Sequence, residues 1–507
     1  MRFKLFAAFL CLSLAFPFSG WSQVKSDSVT IKGSTFTMSN SASFWMGSNY
    51  RKEWNTPITV PVIDLSTEKG GLTPVRKGGG KQTKSLRLEG ADGRQYTLRS
   101  IQKFITSKTL PGDLQSEAAA DLVSDGVSAS YPYASLSIMP LADAAGVPYG
   151  KVRLVYIPDD PKLGEFRKDF ANMLATFEER LPASVNKVYD TDEVADKLEK
   201  DNDNDLDHEA IIRARLLDMY VMDFDRHEDQ WQWGARDNDR GGKTFFPIPR
   251  DRDQAFYTNQ GLLPGFVKRK SLVPQLEGFK PHIKSVKFFN MAAKNFDHFF
   301  FQEATEESWK TVAEKMVAAM TDEVIDRAIN MQPREIRDIS GNRIREILKQ
   351  RRQYLVQEGI EYSRFLAEHV TITASDKKEL FELTRNADGS LLVQIYKVDK
   401  NGNQASKMYE RKFDAAYTEE VRLYGFDGDD KFIVHGDNDK IKIRMIGGGG
   451  QDLFENQGRG AHHNTVAYDK IDGGNKLVGD VRNKLSSDSG VNKFERLGFN
   501  YNRVVPL

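Results

Sequence analysis

Cysteine is almost absent from this chain of 507 residues, because Cys11 is the only one. Beyond Cys11 the chain can therefore form no disulfide, thiol nucleophile or thiolate metal site. Any metal must be bound by carboxylate, amide or imidazole groups. A net charge is missing as well, since Lys+Arg and Asp+Glu both number 72. The charge balance thus gives no reason to expect binding to nucleic acid or to an anionic membrane.

Long apolar runs are missing too. Residues 5–16 form a short apolar run, which follows Arg2 and Lys4 and precedes the small residues around Ser22. A membrane-spanning helix needs about 20 apolar residues, so this run is too short to be one. The pattern is typical of a secretory signal peptide that is cleaved after Ser22. We therefore expect an exported chain that begins at Gln23 and has no transmembrane segment in its mature form.

The hydrophobic period changes along the chain, from short strands to amphipathic helices and then back to strands. This succession, at this length, predicts several domains of the α+β class. The predicted segments are a signal peptide (1–22), an extended lead-in (23–60), a small β-rich lobe (61–160), a helical lobe with acidic loops (161–370), a small β domain (371–460) and an irregular tail (461–507).

Two acidic loops stand out within the helical lobe. Residues 222–231 directly follow an amphipathic helix, and residues 249–256 follow a strand at 243–248. Acidic loops are often only solvated, but apolar neighbours such as Phe224 and Trp231 favour a functional interpretation here. In such a pair of loops, one carboxylate can orient or deprotonate a hydroxyl while another holds Mg²⁺ against phosphates. The pattern therefore predicts a site for a nucleotide and a metal ion.

The order of these loops resembles the atypical protein-kinase fold of the HipA-type, CotH-type and secretory-pathway kinases. In those families an Asp-x-His-x-x-(Asn or Glu) catalytic loop follows a helix, and a metal-binding Asp follows a later strand. The resemblance implies a kinase-like core with a β-rich small lobe and a helical large lobe. It implies catalytic roles for Asp225 and His227, and metal-binding roles for Asp251, Asp253 and Gln230. Gln230 stands where these kinases have Asn or Glu.

The same resemblance assigns a nucleotide-binding role to residues of the small lobe. The glycine loop of the family corresponds to Gly78, Gly79, Gly80 and Lys81. The phosphate-binding lysine of the family falls at Arg99, or less well at Arg87, and the helix acid that pairs with it falls at Glu117. The implied cofactor is Mg²⁺ or Mn²⁺ together with a nucleotide.

A second resemblance covers more of the chain. Segments 50–54, 68–74, 225–231 and 247–256 are similar to the central region of large Bacteroidetes cell-envelope proteins. In that family a metallophosphoesterase domain often precedes this region, and a surface-antigen β-barrel of the outer membrane follows it. The Gly-Asn-His-(Asp/Glu) loop of the phosphoesterase does not occur in this sequence. The resemblance implies a place in the periplasm or at the outer-membrane periphery, with a separate β-barrel as partner.

Three functions are consistent with these patterns. The leading hypothesis is an exported kinase-fold phosphotransferase of the cell envelope, or a nucleotide- and metal-binding relic of one. The first alternative is a non-enzymatic periplasmic interaction module that is associated with an outer-membrane β-barrel. The second alternative is a metal-dependent phosphohydrolase that uses the same carboxylates.

Glycine and aspartate recur together in the β domain. Residues 425–432 and 447–454 approximate the Gly-Gly-x-Gly-x-Asp-x-apolar repeat by which RTX proteins bind Ca²⁺. A β-roll stacks several such turns, whereas the sequence has two, well apart. These segments are therefore either Ca²⁺ sites or tight turns of a β domain.

Overall fold

The computed structural model describes residues 27–36, 47–78, 83–104, 126–182, 185, 187–260, 276–459 and 462–498. Helices account for 31% of it and strands for 30%, distributed over several sheets, so the expected mixed α and β class is confirmed. The signal peptide expected at 1–22 lies outside the described residues. Among the described helices, none combines the length and the apolar character that crossing a membrane requires.

The first part of the fold, which we call the sheet region, is built on a five-stranded antiparallel sheet. Its strands are β1 (Ser28–Ile31), β2 (Ile58–Pro61), β3 (Leu72–Gly78), β4 (Ser85–Gly90), β5 (Gln95–Ser100), β6 (Val152–Ile157) and β7 (Met173–Glu179), and its helices are α1 (Arg51–Asn55), α2 (Ala134–Ala145) and α3 (Arg167–Phe170). The sheet has the order β3-β4-β5-β7-β6, and β1 pairs separately with β2. The turn between β4 and β5 has Gly93 at φ 73°, where glycine is favoured.

Two boundaries differ from the expected ones. The sheet extends to residue 179 rather than ending at 160, because β7 lies between β5 and β6 and pairs with both. The lead-in at 23–60 is not wholly extended, since it includes helix α1. The first difference arises from strand pairing between distant segments, which local periodicity does not report.

The second part, the helical region, surrounds one buried helix. Its strands are β8 (Tyr189–Asp190), β9 (Asp205–Leu206), β10 (Trp231–Asp237) and β11 (Lys243–Pro249), and its helices are α4 (Thr191–Lys200), α5 (His208–Tyr220), α6 (Val286–Phe289), α7 (Lys294–Phe300), α8 (Glu306–Ala319), α9 (Asp322–Asn330), α10 (Arg334–Ile336), α11 (Asn342–Arg351) and α12 (Leu355–Ala367). Helix α5 is the central one, since residues on all of its faces are buried. Strands β10 and β11 form an antiparallel hairpin.

Both ends of α5 are fixed by side chains. At its start the carboxylate of Asp207 accepts a hydrogen bond from the backbone N–H of Ala210 (3.0 Å). At its end the buried Arg351 donates to the carbonyls of Tyr220 (2.7 Å) and Met219 (2.8 Å). These contacts satisfy carbonyls that have no partner within the helix and place a positive charge at its negative end. The chain therefore leaves α5 at a defined point.

The third part is a parallel β-solenoid. Its strands are β12 (His369–Thr373), β13 (Glu379–Arg385), β14 (Leu391–Val398), β15 (Gln404–Phe413), β16 (Glu420–Phe426), β17 (Lys431–His435), β18 (Lys442–Gly448), β19 (Leu453–Asn456), β20 (Thr465–Tyr468), β21 (Lys476–Gly479) and β22 (Arg482–Asn483). One sheet has the order β12-β16-β18-β20-β22, and the other has the order β15-β14-β13-β17-β19-β21. From β16 onwards the chain alternates between the two sheets, and neighbouring strands are parallel.

The solenoid includes residues that we expected to be irregular. Strands β20, β21 and β22 lie within the tail predicted at 461–507, where short strands and polar turns hide the pattern. Paired positions of β16 and β18, and likewise of β17 and β19, are 22 residues apart, so the two glycine-rich turns, expected to be well apart, lie on adjacent coils. The rings of Phe432 and Phe454 stack at 5.2 Å inside the solenoid, one coil apart.

Candidate functional site

The second acidic loop meets the sheet region at a cavity of about 150 Å³. Arg99 lies on β5 and Lys103 follows it, and both line the cavity from the sheet region. Asp251 and Asp253, which follow β11, line it from the helical region. The cavity is thus bounded by basic and acidic side chains from different parts of the chain.

Backbone contacts hold the two loops together. The chain leaves α5 through Met222, whose φ is 51°. The N–H of Phe256 then donates to the carbonyl of Val221 (3.0 Å), and the N–H of Arg250 donates to the carbonyl of Gln230 (2.8 Å). Asp251 also has a positive φ, 56°, in a backbone region that residues other than glycine rarely adopt. Strain of this kind persists where the surrounding structure imposes it, often at functional sites.

A buried carboxylate on α5 links the helix to both loops. Asp218 forms ion pairs with Arg215 (2.9 Å), with Arg226 of the first loop (3.1 Å) and with Arg252 of the second loop (2.7 Å). Burial alone would raise the pKa of Asp218, but the three guanidinium groups outweigh it and hold this pKa below its usual range. Arg226 also donates to the carbonyl of Arg250 (2.6 Å), which fixes the second loop against the first.

Two ion pairs cross the cavity. Arg99 Nη1 lies 3.3 Å from Asp251 Oδ2, and Lys103 Nζ lies 2.8 Å from Asp253 Oδ2. On the sheet itself, Arg99 Nε lies 3.5 Å from Glu178 Oε1 of β7. Each of the two cations therefore bridges the sheet region and the second acidic loop.

The pKa values of the site follow from burial and from these pairs. Burial raises the pKa of Asp225 and of Asp251, although Arg99 partly opposes the effect at Asp251. At Asp253 burial would also raise the pKa, but Lys103 outweighs it and the pKa is lowered. Burial raises the pKa of Asp223 to about 8, and its Oδ2 accepts no hydrogen bond from the described part of the chain. Of these four carboxyl groups, only Asp253 thus has a lowered pKa.

Most of the expected site residues that the structure describes lie around this cluster. Asp225 interacts electrostatically with Asp253 and Lys103, and Arg99 contacts Asp251. His227 also acts electrostatically on Asp225, but it is half-exposed and its Nδ1 lies 3.7 Å from Oδ2 of Asp229.

Gln230 differs most from its expected role as a metal ligand. It is buried, and its Oε1 accepts a hydrogen bond from Arg226 Nη1 (2.5 Å). A guanidinium group at this distance repels a second cation, so the contact disfavours the expected role. The physical reason is that Arg226, turned inward by Asp218, needs an acceptor at this point.

The expected nucleotide-binding residues are only partly described. Gly78 ends β3, and Thr83, just before β4, lines the cavity. Gly79, Gly80, Lys81 and Glu117 lie outside the described residues. Arg87 lies on β4, opposite Thr97 of β5, and it does not line the cavity.

Sequence reasoning missed four residues of the cluster. Asp223 could have been found, because it lies two residues before Asp225 in the same acidic loop. Asp218 lies on the predicted helix, but nothing in the pattern marks it as different from a solvated acid. Lys103 and Glu178 are brought to the site by strand pairing, and no local motif contains them.

A second group of side chains could hold a metal ion. Ligand atoms of Asp205, His208 and Glu303 all lie within 4.8 Å of one another. Asp205 is paired with Arg240, however, and His208 Nε2 lies 3.3 Å from Glu303 Oε2. These contacts explain the group as an ion-pair network.

Comparisons of the chain with protein-family models, with curated proteins and with solved structures find no match.

Proposed function

We propose that this chain is an exported phosphotransferase, dependent on Mg²⁺ or Mn²⁺, whose nucleotide donor binds in the cavity between the sheet region and the helical region. The contact between Arg99 and Asp251 carries the proposal. In protein kinases the phosphate-binding lysine lies on the third strand of the small lobe, near the metal-binding Asp. Arg99 lies on β5, the third strand of its sheet, and Asp251 follows the β10–β11 hairpin.

The basic side of the cavity supports an anionic ligand. Arg180 and Arg250 both line it. Burial lowers the pKa of each, and each also feels the positive charge of a neighbouring arginine: Arg250 for Arg180, and Arg99 for Arg250. Phosphate groups placed here would relieve this repulsion, because guanidinium groups bind phosphate oxygens in a bidentate manner.

The acidic side of the cavity fits a hard divalent cation. Asp251 and Asp253 line the cavity and offer carboxylate oxygens to such an ion. Carboxylates are the protein ligands that Mg²⁺ prefers, and such an ion neutralises charge on a transferring phosphoryl group. Gln230, whose oxygen faces the guanidinium group of Arg226, is left out of this set.

The protein side chains then divide the remaining work. Arg99 and Lys103 hold the phosphates of the donor. Asp225 orients the acceptor hydroxyl and takes its proton, and burial, by raising the pKa of Asp225, makes it a better proton acceptor at neutral pH. Asp218 touches no substrate, and it positions both loops through Arg226 and Arg252.

Thermal unfolding of the mature chain, with Mg²⁺ or Mn²⁺ and with or without ATP, tests the proposal. A ligand that binds only the folded state at 100 times its Kd adds about 2.7 kcal/mol to the free energy of unfolding. We expect a rise in Tm that needs both metal and nucleotide and that Asp251→Asn abolishes. Asp237→Asn, at an exposed position of the same hairpin, is the matched control and keeps the rise.

Other outcomes point to the alternative functions. Metal-dependent release of phosphate from small phosphate esters, without any effect of ATP, would identify a phosphohydrolase built on the same carboxylates. No shift with metal or nucleotide would contradict the proposal and favour a non-enzymatic envelope module, whose partner would then be sought among outer-membrane β-barrels.

A further inference from the structure

A column of acidic side chains, continued by the amide of Asn475, runs through the β-solenoid with one member on each coil. Oδ1 of Asp430 accepts a hydrogen bond from the N–H of Glu379, and Oδ1 of Asp452 accepts one from the N–H of Asp430 (both 2.8 Å). On the next coil the amide oxygen of Asn475 accepts from the N–H of Asp452 (2.8 Å). One oxygen of each side chain therefore holds neighbouring coils in register.

The second oxygen of each acid has no such contact. Asp430, Asp452 and the nearby Asp469 are 0%, 2% and 1% exposed. Their Oδ2 atoms, like Oε2 of Glu379, accept no hydrogen bond within the part of the chain that the structure describes. An ionised carboxylate left in this state is strongly unfavourable unless a cation or a proton neutralises it.

The neighbours of these acids increase the negative charge. The charged side chains that act most strongly on Asp430 are Glu379 and Asp452, and those that act most strongly on Asp452 are Asp469 and Asp429. Burial and this repulsion raise the pKa of Asp430 well above its usual range and that of Asp452 to about 8. Side chains of the column thus repel one another instead of forming ion pairs.

Two glycines let the unpartnered oxygens converge. A Cβ atom on Gly447 would overlap Oδ2 of both Asp452 and Asp469. A Cβ atom on Gly425 would overlap Oδ2 of Asp430 and approach the carbonyl oxygen of Gly447 to 2.6 Å. Only glycine at these two positions leaves room for the oxygens of neighbouring coils to lie so close together. When the acids are ionised, none of these oxygens can donate a hydrogen bond to another.

We propose that the solenoid binds Ca²⁺ at these two points, with Asp452 and Asp469 as ligands beside Gly447, and Asp430 and the Gly447 carbonyl as ligands beside Gly425. Ca²⁺ takes oxygen ligands in flexible geometry and mixes carboxylates with backbone carbonyls. The column offers no nitrogen or sulfur ligand, which argues against zinc. In this proposal the glycine-rich turns supply the buried carboxylates of Asp430 and Asp452 as ligands. Asp469, which lies outside the motif, supplies a further carboxylate.

Calcium titration of the full chain after removal of metal with EDTA tests this proposal. We expect saturable binding by calorimetry, a rise in Tm with CaCl₂ and reversal of that rise by EDTA. Asp452→Asn, which keeps the hydrogen bond to Asp430, weakens Ca²⁺ binding at least tenfold. Asp472→Asn, at an exposed position nearby, is the matched control and leaves binding unchanged. Asp251→Asn also leaves it unchanged, which separates this test from that of the nucleotide site.

One alternative is that the acids share protons instead of binding an ion. In that case the wild-type chain binds no Ca²⁺, and its stability falls as the pH rises from about 4 to about 8. Absence of calorimetric binding to the wild-type chain overturns the proposal, even if Asp452→Asn does not fold.

Discussion

Asp218 in the helical region and Asp452 in the β-solenoid are both withdrawn from solvent, yet their surroundings are opposite. Three arginines lie within 3.1 Å of the Asp218 carboxylate. The strongest charged neighbour of Asp452 is another carboxylate, that of Asp469. As a result, the pKa of Asp218 is lowered whereas that of Asp452 is raised to about 8. Burial is common to both, so the difference lies in the partners.

This difference separates structural acids from acids that need a ligand. Asp218 is fully neutralised within the chain, and it holds the two acidic loops together. Asp452 and Asp469 have no comparable cation among the described residues, so their charge is balanced either by bound protons or, as we propose, by Ca²⁺. Around the cavity, Asp251 and Asp253 are intermediate, since each is paired with a single cation. A partly neutralised cluster of this kind suits a ligand that contains both metal and phosphate.

The largest effect that tests the comparison is the loss of Asp218. Asp218→Asn leaves Arg215, Arg226 and Arg252 without their shared carboxylate, and breaking a buried ion pair typically costs about 3–5 kcal/mol. We expect the free energy of unfolding in urea to fall by that order. The two acidic loops should lose their fixed arrangement as well, so nucleotide-dependent stabilisation is lost with it.

Asp237→Asn provides the control for this substitution. Asp237 lies on the β10–β11 hairpin and is exposed, so its loss should change the unfolding midpoint little. If Asp218→Asn were as stable as the control, the three arginines would not depend on Asp218, and the assignment of a structural role would be wrong.

Sequence patterns predicted the parts of this molecule that depend on local order. The helix before Asp225 and the strand before Asp251 both have signals within a few residues. The solenoid had weaker signals, because its glycine-rich turns become a stack only when parallel strands pair one coil apart. Lys103 reaches Asp253 across a large separation in sequence, and that contact has no local signature. What the patterns missed is therefore chiefly pairing between distant segments.

A second effect concerns the histidine His298 on α7. Burial and the positive charge of His369 lower the pKa of His298 to about 3. Between about pH 6.5 and pH 3 the unfolded chain then binds a proton that the folded chain does not. Stability therefore falls as the pH is lowered, by at most about 1.4 kcal/mol per pH unit for this group.

Urea unfolding between about pH 6.5 and pH 5, where most carboxylates stay ionised, measures this slope. His298→Gln, which cannot be protonated, should flatten the slope, whereas His463→Gln at an exposed position should not. An unchanged slope in His298→Gln would mean that other groups cause the loss of stability in acid.

The smallest change in the free energy of unfolding is expected for substitution of Gln230. It tests whether this side chain contacts Arg226 or a metal ion. In the structure its Oε1 accepts a hydrogen bond from Arg226 Nη1, so Gln230→Ala should lower the free energy of unfolding by about 1 kcal/mol, the usual net value of one hydrogen bond. Urea unfolding of this variant beside the wild type measures the difference.

Gln230→Glu sharpens the same test, because it keeps the acceptor for Arg226 and introduces a carboxylate of the kind that the kinases resembled by this sequence use for metal. Since the side chain at this position is turned toward Arg226, we expect the stabilisation by Mg²⁺ and ATP to be the same in Gln230→Glu as in the wild type. A tenfold gain in Mg²⁺ affinity would instead show that position 230 faces the metal. The side chain at position 230 would then be a metal ligand, and not part of the contacts that connect Asp218 and Arg226 to the two loops.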